Sequence, residues 1–257
     1  SIKTNEWIAL HQNHPCNFID IGANGGFYTL LALRLNCSVF AIEPQPLCLA
    51  RLSGTIIDNQ NYDLIIGRER DKGNKVKIKL VNKYIGRISS MVNNIPLRIP
   101  INSCSGLFDV KVEETKEQKS DRKEILEKRN VFPLNFEMEI SSFLSSSTAF
   151  PDKIMIDIVK IDTEGSEFNS LYALLPFIRR KQIRSIVIEI VPGRAKEFTS
   201  TKQMISILDE MQTSGYRCYN WFDPSIEREI DQLIDSFHLN QVANGPYNLF
   251  LFSLTHI

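Results

Sequence analysis

The sequence predicts an α/β fold built on an open, mainly parallel sheet, and three observations carry that prediction. Short apolar runs, Phe18 to Ile21, Ser38 to Ile42, Val159 to Asp162 and Ser185 to Ile190, alternate with stretches of helical periodicity, as strand-helix-strand units do. The first run passes through Gly22, Gly25 and Gly26 into a helix without a spacer. Acidic residues stand near the carboxyl ends of the runs, at Asp20, Glu43, Asp162 and Glu189, where such a sheet has its ligand crevice. With 257 residues, 43% of them apolar, one enlarged domain over 1–257 is expected rather than two small ones.

Taken in order, Trp7, Ile8 and Leu10 mark a short helix over Asn5 to Gln12. It belongs to an N-terminal extension over 1–16 that either covers the crevice or packs on the sheet edge. His11 and His14, just beyond it, carry no catalytic pattern. The β-branched run Phe18 to Ile21 is the first strand, and a carboxylate inside it, Asp20, is costly unless something polar meets it. The glycines let the backbone turn tightly and approach a ligand. Phe27, Leu30, Leu31 and Arg34 then recur at helical spacing, and the free N–H groups of that helix point into the corner.

Which ligand the corner suits follows from its details. A dinucleotide fingerprint needs glycine at the third and sixth positions from the first, and these are Asn24 and Phe27. Glu43, at the end of the second strand, lies about 20 residues beyond Gly22, the spacing of a ribose-binding acid. Two carboxylates without a phosphate-binding lysine suit a ligand that combines a ribose with a positive charge, as S-adenosylmethionine does. The expected donor contacts are Asp20, Gly22, Ala23, Asn24, Gly26, Phe27, Glu43 and Pro44.

Pro46 opens the second helix, Leu47 to about Ile57, and Tyr62 to Ile66 reads as the third strand, followed by a turn over Gly67 to Gly73. Lys75, Lys77 and Lys79 alternate with Val76, Ile78 and Leu80, so the lysines share one strand face. That face is either a solvated edge resisting further pairing or a surface for an anionic acceptor such as RNA. Ser89 and Ser90 follow Gly86 in a stretch that either lines a pocket or is ordinary loop. Asp109 to Arg129 mixes both charges densely within an insertion placed at 104–132, expected to be exposed and partly helical or loop.

Val159 to Asp162 is the fourth strand, with Lys160 and Asp162 on one side by the period of two. Thr163 and Glu167 then either cap the helix through Leu171, Leu174 and Leu175 or serve the site. After the fifth strand come a helix over Met204 to Met211, closed by Gly215, and a strand over Tyr216 to Phe222. Ile226, Ile230, Leu233, Ile234 and Phe237 predict an amphipathic helix, and Tyr247 to Leu254 the last strand.

Three strings in this order, Asp20-Ile21-Gly22-Ala23-Asn24-Gly25-Gly26, Ala41-Ile42-Glu43-Pro44 and Lys160-Ile161-Asp162-Thr163-Glu164-Gly165-Ser166-Glu167, closely resemble the FkbM-type S-adenosylmethionine-dependent methyltransferases. The resemblance runs from Asn17 to Glu189 and is weakest between Ser103 and Met138. It implies the Rossmann-like class I methyltransferase sheet, seven strands mostly parallel with the last antiparallel and helices on both faces. It also implies methylation of a hydroxyl on a sugar, glycan or other small molecule. One departure is that the family carries a Leu-Asp pair shortly before the fourth strand, where this chain has Ile140-Ser141-Ser142-Phe143. Under this reading Asp162 is the base, and Lys160 is oriented by it or stabilises developing oxygen charge. Glu189 and Glu164 stand in reserve, Ser90 and Glu164 line the acceptor side, Asp20 lies near the methionine amino group and Glu43 on the ribose.

Composition bounds the partners. Lysine plus arginine and aspartate plus glutamate number 30 each, so no overall field draws the chain to nucleic acid or an acidic membrane. Five cysteines without a C-x-x-C pair argue against zinc and for a reducing, cytoplasmic compartment. No required metal is indicated. No signal peptide pattern occurs, and no apolar run reaches the ~18 residues that span a bilayer. The chain opens on Ser1, which leaves room for an upstream domain. The rival readings are an RNA methyltransferase using the lysine face, a catalytically silent domain that binds S-adenosylmethionine, and a nicotinamide oxidoreductase.

Overall fold

The computed structural model describes residues 16–35, 37–65, 77–83, 95–100, 104, 126–131, 136–144, 156–190, 195, 199–220, 223–228, 230, 233 and 249–254. The elements in chain order are β1 (Asn17–Ile21), α1 (Phe27–Arg34), β2 (Ser38–Ile42), α2 (Pro46–Ile65), β3 (Ile78–Val81), β4 (Ile95–Pro100), β5 (Leu126–Val131) and α3 (Phe136–Leu144). There follow β6 (Ile156–Ile161), α4 (Glu167–Arg179), β7 (Ile183–Glu189), α5 (Thr201–Thr213), β8 (Arg217–Asn220), β9 (Asp223–Arg228) and β10 (Leu249–Ser253).

One sheet runs in the order β3-β2-β1-β6-β7-β10-β8-β9. The first five are parallel to their neighbours, whereas β10 lies antiparallel between β7 and β8. This is the seven-stranded class I methyltransferase arrangement, lengthened at one edge by β9 pairing antiparallel to β8. The central strands are apolar on both faces because helices cover both. Ile19, Ile21, Val159 and Ile161 pack on one side with Phe168, Leu171, Leu174 and Ile178 of α4. Phe18, Val39, Ala41 and Ile158 pack on the other with Ala32, Leu52 and Ile56. The period of two thus sets Asp20 and its cross-strand partner Lys160 on the second face, below α1 and α2.

Several expectations change. Tyr62 to Ile65 are the last turn of α2, not a strand, and the third strand is β3. A short run such as Tyr62 to Ile66 does not separate strand from helix, and here its first four residues continue the helix that buries Leu52 and Ile56. The end of the charged insertion pairs as a strand: β5 and β4 form an antiparallel hairpin apart from the main sheet. Residues 223–228 are β9 rather than the start of an amphipathic helix. Lys79, 37% exposed on the edge strand, is paired: Glu139 of α3 bridges it and Lys83. The expected N-terminal helix, the turn at 67–73, Lys75, Ser89 and Ser90 lie outside the described residues.

Cysteines were expected to be unpaired. Instead Cys16 bonds Cys37 and Cys48 bonds Cys104, so the cysteines give no ground for a reducing compartment. The first pair joins the residues just before β1 and β2, at the amino edge of the sheet. Among the described residues no helix is long and apolar enough to cross a membrane.

Candidate active site

The turn after β1 is locked from three sides. The N–H groups of Gly22 and Ala23 both donate to the Ile42 carbonyl at the end of β2, each at 3.0 Å. Gly22 has φ +78, and a Cβ there would stand 1.8 Å from the Asp162 carbonyl oxygen, so only glycine lets the turns after β1 and β6 approach this closely. Gly26, φ +88, backs on Leu52 of α2, which a Cβ would meet at 2.1 Å. Gly25 faces open space, with nothing within 4 Å of a Cβ. Beside it Phe27 and Tyr28 are exposed, their rings edge to face at 5.2 Å. Of the three non-glycine residues with left-handed backbone among the described residues, two lie here, Asn24 (φ 48) in this turn and Glu164 (φ 55) in the turn after β6, while Lys181 (φ 54) follows α4; such strain concentrates at functional sites.

Glu43 closes the corner. Its Oε2 accepts the Asn24 N–H and its Oε1 the Gln45 N–H, both at 2.8 Å. Asn82, just past β3, donates to the carbonyls of Glu43 and Pro44, which fixes the β2–α2 connection. Burial pushes the Glu43 carboxyl up to about 7, against the lowering effect of the two N–H groups and Lys160.

Lys160 is the hub of the corner. Its Nζ donates to the Gly22 carbonyl at 2.6 Å, lies 3.3 Å from Asp20 Oδ1 and 3.5 Å from Asp162 Oδ2, and sits 5.4 Å from the Tyr28 ring centroid. Expected to be oriented by Asp162 or to stabilise developing oxygen charge, the ammonium is buried beneath the glycine turn, within reach of Asp162. Burial disfavours its charge, but the Asp20 and Asp162 carboxylates outweigh that and hold its pKa above the usual lysine range. Asp20 is fully buried and accepts from the Thr29 hydroxyl at 2.7 Å, so Lys160 and Thr29 are the polar groups that offset its burial. Asp162 alone of the trio opens to solvent, its side chain 37% exposed against 8% and 1% for Lys160 and Asp20.

The sequence decides the family. The family model for the methyltransferase FkbM domain matches residues 20–218, more than half of the chain. This chain belongs to the FkbM methyltransferase family. The matched stretch is accordingly an S-adenosylmethionine-dependent methyltransferase domain. No curated protein matches it. Among solved structures it is similar in fold to the bifunctional kinase-methyltransferase WbdD (10% identity, TM-score 0.44, covering 99% of this chain and 40% of that one). It is also similar to the METTL16 methyltransferase domain (12%, 0.42, 99% and 67%) and to SMU.1697c of Streptococcus mutans in complex with SAH (11%, 0.43, 97% and 96%). This chain thus spans well under two thirds of the WbdD chain, and likenesses at these scores decide nothing about this chain.

The structure of this FkbM domain brings Asp20, Gly22, Asn24, Glu43, Lys160 and Asp162 into one corner. Glu164 is half-buried in the adjoining turn, and Glu189 ends β7 at the same edge of the sheet, one strand beyond β6. Ala23 is buried and Pro44 half-buried behind the turn. Glu167 caps: its Oε1 accepts the Gly165 and Thr163 N–H groups and the Thr163 hydroxyl. Sequence reasoning missed Thr29, Asn82 and the cysteine pair beside Asn24. Thr29 had a signal, since a buried Asp20 demanded a donor on the helix above it.

Proposed function

We propose that this FkbM domain transfers a methyl group to a hydroxyl oxygen of a sugar, glycan or other small molecule. The single observation that supports this most is the Asp20–Lys160–Asp162 chain, which ends in one half-exposed carboxylate at the edge of the glycine corner. When bound, S-adenosylmethionine supplies an electrophilic methyl on a sulfonium sulfur. The residues present fit that donor. A carboxylate offers about four lone-pair sites, the Asn24 and Gln45 N–H groups fill two at Glu43, and the two left match the vicinal hydroxyls of a ribose. The open space at Gly25 leaves room for the ligand against the turn. Asp20 is expected near the methionine amino end, acting through Lys160 and the Gly22 carbonyl.

Asp162 takes the acceptor's hydroxyl proton, a role that needs a base within hydrogen-bond reach. Lys160 acts as a positioning residue: it fixes Asp162 and holds the turn that carries the donor, so that the reacting atoms are aligned. Glu164 and Glu189 border the acceptor side. The test is mass spectrometry of sugars, lipids and RNA after incubation with isotope-labelled donor. A gain of one methyl on a hydroxylated small molecule or glycan supports the proposal, and labelling of RNA alone contradicts it. Against the RNA reading, Glu139 already engages Lys79.

A raised carboxyl pKa means that the folded state holds the Glu43 proton more tightly than the unfolded chain does. Its contribution to stability is therefore full below the ordinary value of 4.5 and is lost as pH climbs to about 7. Donor binding runs the other way, because ribose hydroxyls donate to the ionised form. Affinity for S-adenosylhomocysteine is expected to be about tenfold weaker at pH 6 than at pH 8, and calorimetry on Glu43→Gln should show that dependence gone.

A further inference from the structure

Among the described residues five large apolar side chains are exposed, and two of them, Phe27 at 72% and Tyr28 at 40%, are neighbours in the first turn of α1, straight after the glycine turn. Apolar residues scattered singly over a surface need no explanation, but two adjacent rings bordering a polar site form a contact surface. The rings stand at right angles, with an interplanar angle of 87° and centroids 5.2 Å apart, so together they make two walls of a corner. Tyr28 also reaches the Asp20–Lys160–Asp162 chain. Its ring centroid lies 5.4 Å from Lys160 Nζ, which in turn lies 3.5 Å from Asp162 Oδ2. Ring and carboxylate thus flank one ammonium, and whatever reacts at Asp162 reacts beside the aromatic pair.

We propose that Phe27 and Tyr28 form an aromatic corner that takes the donor's sulfonium and sets the preference for charged donor over neutral product. The inference rests on the placement of S-adenosylmethionine against the glycine turn with its methyl toward Asp162. S-adenosylmethionine carries a positive sulfonium, whereas S-adenosylhomocysteine has a neutral thioether and otherwise differs by the methyl alone. Aromatic faces attract such cations. A carboxylate attracts them too, but its oxygen is a nucleophile toward the methyl, and a ring face stabilises the charge without competing for the group. The two carboxylates of the chain are committed elsewhere: Asp20 is buried and engaged by Lys160 and Thr29, and Asp162 is assigned to the acceptor's proton. Lys160 does not repel the sulfonium on balance, because Asp20 and Asp162 flank it and leave the trio with a net negative charge. Methyl transfer removes the charge that the rings hold, so the product leaves more readily than the donor.

The test titrates S-adenosylmethionine and S-adenosylhomocysteine calorimetrically into the whole chain and reads the ratio of the two dissociation constants. Phe27→Leu and Tyr28→Leu keep apolar bulk and remove a ring. Each should weaken S-adenosylmethionine about fivefold and leave S-adenosylhomocysteine within about twofold, while Tyr28→Phe, which keeps the ring, should bind both as wild type does. Phe27→Leu, at the more exposed ring, keeps the test decisive should Tyr28→Leu disturb Lys160. A ratio unchanged in both leucine variants, whether both ligands weaken together or neither does, overturns the aromatic corner and leaves the donor assignment standing. Wild-type protein that binds neither ligand overturns the donor assignment, and the aromatic corner with it.

Discussion

Asp162→Asn lowers kcat by about 10²- to 10⁴-fold, the range that a positioned general base contributes, while affinity for S-adenosylhomocysteine stays within about twofold. Asparagine keeps the shape of the side chain and removes its capacity to take a proton. The substitution leaves the contacts of Lys160 to Asp20 and to the Gly22 carbonyl in place, so the glycine turn that carries the donor does not move. A loss confined to kcat places Asp162 at the reacting oxygen. A loss confined to donor binding moves it to the other side of the corner. Wild-type protein that binds the donor yet labels no acceptor is the outcome expected of a silent domain, and this account excludes it.

Lys160→Met destabilises the fold by about 3–5 kcal/mol, because removing one partner of a buried pair strands the other charge. For a chain of this size that corresponds to a fall in melting temperature of roughly 10 °C. Asp20 is the group left stranded. It is fully buried, and Thr29 then remains as its recorded donor. Adding Asp20→Asn to Lys160→Met should restore a large share of the stability without restoring activity, since the Gly22 carbonyl and Asp162 still lack their ammonium. The double-mutant cycle separates the ion pair from the loss of packing. A Lys160→Met protein that melts with wild type would show that the buried cluster is not what secures the turn.

The glycine corner was legible because it is written locally. Strand, turn and helix follow in one stretch, so the glycines, Asp20 and Glu43 could be read from spacing alone, and Gly22 proved necessary for a reason that spacing only hints at, the Asp162 carbonyl pressed against it. Lys160 was legible as a member of the site but not in its direction. Period two placed it on the side of Asp162; the register of β1 against β6 adds Asp20 beside it, and the bond to the Gly22 carbonyl shows the ammonium running under the turn. The third strand was misread because a short run such as Tyr62 to Ile66 suits a helix and a strand equally, and β3 is half-buried at the sheet edge. The cysteine pairs were invisible because their partners meet through the parallel pairing of β1 with β2 and the placement of residue 104, neither of which cysteine spacing encodes.

The claim on which the rest depends is that the corner formed by Gly22 to Gly26 and Glu43 takes a ribose-bearing cation rather than a dinucleotide. The most direct measurement is a calorimetric titration of the protein at pH 8 with S-adenosylmethionine, repeated with NADH. Saturable one-to-one binding of S-adenosylmethionine, lost in Glu43→Ala and not matched by NADH, is the predicted result. Tight uptake of NADH with no heat from S-adenosylmethionine would contradict it.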